Sequence, residues 1–108
     1  MRAGECLFWA FAVGEKQERI SNLLDKLSKG DWSGYKTHVL VALNDMIKWE
    51  SYLNKFCRID ISEPLEISQK LYKYIKEEKY SRAIELLSEH DRAIINALRK
   101  WNGSCLGR

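Results

Sequence analysis

Apolar residues recur at three- and four-residue steps along almost the whole chain, the period of an amphipathic helix rather than a strand. In the first segment Trp9, Val13, Ile20, Leu23, Leu24 and Leu27 form one such stripe. The polar run Glu15-Lys16-Gln17-Glu18-Arg19 interrupts the stripe without breaking the helix, because all five are good helix formers. Gly30-Asp31 stops the segment, and Asp31 or Ser33 is expected to cap the next. The second segment has the fullest stripe: Tyr35, Val39, Ala42, Leu43, Met46, Trp49, Leu53 and Phe56. Leu40, Val41 and Ile47 add apolar surface on its other sides, so this helix is expected to be the most enclosed.

Ser62-Glu63-Pro64 reads as a third start, since proline in a first turn removes no hydrogen bond that would otherwise form. Leu65, Ser68, Leu71, Tyr72 and Ile75 follow at helical steps. The stripe loses phase around Lys76–Lys79, which predicts a tight connection. A fourth helix runs from about Tyr80 through Ile84, Leu87, Ile94, Leu98 and Trp101 to Asn102-Gly103. The halves repeat faintly: Ile20-Ser21 to Trp32-Ser33 parallels Ile67-Ser68 to Tyr80-Ser81, with one extra residue in the second copy. The pattern predicts an all-α, four-helix bundle built from two αα-hairpins, a single domain over residues 1–108 with a flexible tail at about 102–108.

Composition narrows the function classes. The 108 residues include 45% hydrophobic and 31% charged positions, one proline and six glycines, which excludes collagen and low-complexity disorder. The net charge of +3 is too small to argue for nucleic acid by itself. No apolar run approaches the ~20 residues of a membrane span. The opening Leu7–Val13 stretch has the length of a minimal signal-peptide centre, but Glu5 stands where basic residues are preferred, and the first turns of a core helix are the simpler expectation.

Three cysteines, Cys6, Cys57 and Cys105, form neither a zinc motif nor a C-x-x-C pair. An up-and-down topology brings all three to one end of the bundle, near Trp9, Trp49 and Trp101. They are expected to be small apolar filler in a reduced, cytoplasmic protein, with a disulfide or a soft-metal site as alternatives. Catalytic constellations are absent: no paired helical metal ligands, no G-x-S-x-G elbow, no phosphate-binding glycine loop. Two histidines occur. His38 borders the second stripe. His90 lies in the polar cluster Glu89-His90-Asp91-Arg92, on the line from Leu87 to Ile94. In this cluster of His90, Asp91 and Arg92, His90 either is buried with a hydrogen-bond partner and pins the bundle's register, or lines a groove with Arg82 and Arg92.

The densest basic region is Lys70 to Arg82. Lys70, Lys73 and Lys76 share one helical face, Lys79 and Arg82 continue it, and Tyr72, Tyr74 and Tyr80 are interleaved. Lysines that meet phosphates and rings that stack on bases are the composition of an RNA or single-strand contact. Glu77 and Glu78 within the stretch, and the ordinary solvated face of a helix, argue the other way.

The stretch Leu27-Ser28-Lys29-Gly30-Asp31-Trp32-Ser33-Gly34-Tyr35, followed by His38 through Leu53, resembles the helix–Lys-Gly-Asp-aromatic–helix signature of the HEPN superfamily. It is similar also to the hairpins of tetratricopeptide-type proteins. The HEPN resemblance covers about a quarter of the chain and implies a helical bundle, often dimeric, in RNA-targeting defence or toxin–antitoxin pairs. Catalytic members carry Arg, four to six residues, then His. Arg82 and His90 have seven residues between them, so the resemblance implies a non-catalytic relative. The expected function is a small non-catalytic protein-interaction or assembly subunit, binding a protein partner or itself, with no cofactor, metal or small-molecule substrate. An RNA- or single-strand-binding accessory subunit of a defence or RNA-processing complex is the alternative, and a helical ribonuclease using His90 the third reading.

Overall fold

Two of the helices end in a left-handed cap that backbone hydrogen bonds define. The computed structural model describes residues 3–101, so Cys105 and the expected tail lie outside the described residues. Helix α1 spans Ala3–Ser28, α2 Tyr35–Phe56, α3 Ser62–Lys76 and α4 Tyr80–Trp101, with no strand among the described residues. Gly30 terminates α1 in the left-handed region at φ 79°. Its N–H bonds back to the Leu27 carbonyl and the Asp31 N–H to Lys26, the paired bonds of a Schellman cap.

The same cap closes α3. Glu78 lies at φ 60°, its N–H on the Ile75 carbonyl and the Lys79 N–H on Tyr74. Gly30 and Glu78 therefore occupy equivalent places in the two hairpins, which gives the faint sequence repeat a structural basis. The expected side-chain cap of α2 does not form. Asp31 instead accepts from its neighbour's Trp32 N–H at 2.7 Å. Gly34 is the N-cap residue, and the N–H groups of Tyr35, Lys36 and Thr37 bond to the carbonyls of Trp32, Ser33 and Gly34.

The four helices form a closed ring of neighbours: α1 on α2, α2 on α3, α3 on α4 and α4 on α1. With short connections this is an up-and-down bundle, 49 × 19 × 18 Å. Val13, Ile20, Leu24, Val39, Leu43, Met46, Leu53, Leu71 and Ile75 fill its centre. Between α2 and α3 the chain turns at Arg58, at φ 55°, so that Ile59 and Ile61 drop into the core. The bundle buries Cys6, Ala12 and Val13, which makes the apolar opening of the chain part of the core helix.

Candidate functional site

Three places concentrate chemistry: the centre of the bundle, the basic stretch, and the outer side of the α1·α2 hairpin.

At the centre, each helix replaces one apolar position of its core stripe with a polar residue. They are Gln17 on α1, Glu50 on α2, Ser68 on α3 and His90 on α4, and Glu50, Ser68 and His90 are fully buried. The Gln17 side-chain N–H donates to the Leu87 carbonyl at 3.1 Å, which turns its oxygen toward His90 Nδ1 at 2.7 Å. Nδ1 therefore carries a proton. His90 Nε2 lies 3.0 Å from Glu50 Oε1, which also accepts the Ser68 hydroxyl at 2.8 Å. Glu50 Oε2 is buried without a hydrogen-bond partner.

The sequence singles out His90 but not its partners. Their signal is a polar residue at core phase: Gln17 between Val13 and Ile20, Glu50 between Met46 and Leu53, and Ser68 before Leu71. With both ring nitrogens engaged inside the bundle, His90 presents no solvent face to a substrate. Asp91 is half-buried, and Arg92 and Arg82 are exposed, so the four residues do not converge on a groove.

The basic stretch holds its charges outward and its rings inward. Lys70, Lys73, Lys76, Lys79 and Arg82 are exposed. Lys70 pairs with Glu66 at 3.8 Å, Lys79 with Glu77 at 3.1 Å, and Lys76 lies over the Tyr72 ring at 5.5 Å. Tyr72, Tyr74 and Tyr80 are half-buried against the core. Burial, and then the nearby Glu78, pushes the Tyr80 hydroxyl above its ordinary pKa, while Lys36 opposes the shift.

The α1·α2 hairpin carries the largest apolar exposure. Leu7, Phe8 and Phe11 on α1 are 49, 59 and 66% exposed and Val41 on α2 56%. Phe8 meets Trp49 edge-on at 6.0 Å, and the ring series continues through Tyr52 to Trp9 and Phe56. Phe8, Ala12, Val41, Ala42 and Trp49 line a groove of about 660 Å3 with Lys16 and Arg19 at its side. Lys16 is held by Asp45 at 3.5 Å, and Lys48 and Lys55 lie over the Trp49 and Phe56 rings. Sequence periodicity assigns every apolar stripe to the bundle, but the first half of α1 is apolar nearly all round, and its two neighbours in the ring, α2 and α4, cover only its inner side.

At one end of this hairpin Cys6 and Cys57 are joined in a disulfide, and both are buried. The expectation of unpaired filler cysteines is corrected for these two. Cys57 follows the last residue of α2 and Cys6 lies in the first turns of α1, so antiparallel packing sets them side by side. No group of three or more possible metal ligands occurs among the described residues, and among them no helix is long and apolar enough to cross a membrane.

No protein-family model, curated protein or solved structure matches the chain.

Proposed function

We propose that the chain is a non-catalytic helical subunit that works by docking protein on the outer side of its α1·α2 hairpin. The observation that carries this reading is the exposed cluster of Leu7, Phe8, Phe11 and Val41 beside the half-buried Trp49. Monomers rarely leave a contiguous apolar patch of more than a few hundred Å2 in water, and aromatic side chains are favoured at the centres of interfaces. The disulfide braces the hairpin that carries the patch. It is compatible with a cytoplasmic location only where disulfides persist, whereas in most cytoplasms thiols stay reduced.

The nucleic-acid alternative keeps its exposed lysines, but its tyrosines are packed on the core and two of its cations have acidic partners. The size of the protein in a gentle extract of its own cells separates the readings. Wild type is expected to elute in a nuclease-resistant complex, and a Phe8→Ser, Phe11→Ser variant at monomer size. A wild type of monomer size, or a complex dispersed by ribonuclease alone, would contradict the docking reading.

A further inference from the structure

Resting on that docking reading, we infer that the occupant of the α1 face is a second copy of this chain, its α1 lying antiparallel to the first with Phe11 near the two-fold axis. The outer line of α1 runs Gly4, Leu7, Phe8, Phe11, Gly14, Glu15, Glu18, with the alternating three- and four-residue spacing of a helix–helix seam. All seven are exposed. A Cβ added at Gly4 or Gly14 would meet nothing within 4 Å, so these positions leave open space for a neighbouring helix to approach closely. Phe11, the most exposed large apolar residue described, lies midway along this line.

Charge decides the direction. Glu5 precedes the apolar stretch and Arg19 follows it, on the same edge of α1, and both are exposed. With Phe11 at the axis of an antiparallel pair, position 5 of one copy lies level with about position 17 of the other, so each Glu5 falls near the other copy's Arg19 on the shared edge. Glu18, on the other edge of the line from Glu5, falls level with Gly4 in the first turn of the opposing α1, where the helix dipole favours negative charge. A parallel pair would instead set Glu15 beside Glu15 and Glu18 beside Glu18, with no cation of the partner level with Glu5. The closed two-fold arrangement is also the commonest for a patch that complements itself.

Area supports a copy rather than a short peptide. With whole aromatic side chains at about 150–250 Å2 each, the exposed parts of Leu7, Phe8, Phe11 and Val41, with Trp49 beside them, supply on the order of 500 Å2. The flanking Glu5, Glu15, Glu18 and Arg19 bring the face toward the roughly 800 Å2 per partner of a stable interface.

The test is sedimentation equilibrium of the full chain carrying Cys105→Ser, which prevents an intermolecular disulfide. Circular dichroism checks that each variant is folded. The Cys105→Ser protein is expected to have twice the monomer mass, and added Phe11→Glu to weaken the dimer by about a hundredfold or more. Arg19→Glu should weaken it by about tenfold, and adding Glu5→Arg to that variant should restore it, since the swapped charges meet again across the axis. A monomer at all concentrations, a dimer that survives Phe11→Glu, or a charge swap that fails to restore binding overturns the inference. A monomer that nevertheless enters a larger complex in its own cells through Phe8 and Phe11 overturns the second copy and leaves the docking reading in place. A monomer of that size in both settings removes both.

Discussion

His90 and Glu50 hold each other in place at the centre of the bundle. Replacing His90 by Leu alone leaves the Glu50 carboxyl buried with only the Ser68 hydroxyl as a partner, a change expected to cost about 3–5 kcal/mol. Replacing both by Leu together with Ser68→Ala, so that the buried hydroxyl is not left unpaired, should recover most of that loss, because matched apolar replacements of buried pairs are often neutral. Urea unfolding followed by tryptophan fluorescence reads both values, and additivity of the single changes would refute the coupling. At the surface, the Ser62 hydroxyl and then its backbone N–H, with a smaller contribution from Lys100, hold the Asp60 carboxyl below its ordinary 3.8, against a weaker effect of burial. A lowered folded pKa gives stability that is complete above the unfolded value and is lost as pH falls through the folded one. An NMR titration should place Asp60 below 3.8, and Ser62→Ala should return it toward that value. Residues of this kind were only partly legible beforehand. A histidine on an apolar line draws notice, whereas Glu50 and Gln17 look like ordinary solvated positions until the phase of the neighbouring Met46, Leu53, Val13 and Ile20 is fixed.

At the scale of the helices, sequence punctuation was read best where it rests on backbone chemistry. Gly30 and Pro64 mark an end and a start because one accepts positive φ and the other lacks an N–H. Glu78 carries no such mark, yet it adopts the same left-handed cap as Gly30. A non-glycine residue there is strained by about 1–2 kcal/mol, and its exposed contact with Lys36 at 3.2 Å offsets little of that. Glu78→Gly is therefore expected to raise stability by about 1 kcal/mol, seen as a higher urea midpoint with unchanged slope. The α1·α2 hairpin depends on a feature that spacing alone left open. Cys6 and Cys57 are 51 residues apart, and closing a loop of that length is worth about 4 kcal/mol in the chain-entropy account. Cys57→Ala should lower stability by roughly that amount, and dithiothreitol should destabilise the wild type but not the variant.

For the whole molecule, the bundle follows from four stripes and three short connections, and the ring of packed neighbours is what those stripes demand. The docking face was the least legible part. Periodicity shows which side of a helix is apolar, but the first half of α1 is apolar on nearly every side, and only the packed structure shows that Leu7, Phe8 and Phe11 lie outside. Because Phe11 is two-thirds exposed, Phe11→Glu should change folding stability by no more than about 0.5 kcal/mol while removing association, provided that both proteins are compared at a dilution where the wild type is monomeric. A photo-crosslinking residue at position 11, with the same group at the exposed Glu85 of α4 as its control, tests the docking claim most directly in the cells that make the protein. The account predicts a discrete protein adduct from position 11, of twice the chain's mass if the partner is a second copy, and none from position 85. No adduct from position 11, or equal labelling from both positions, would contradict it.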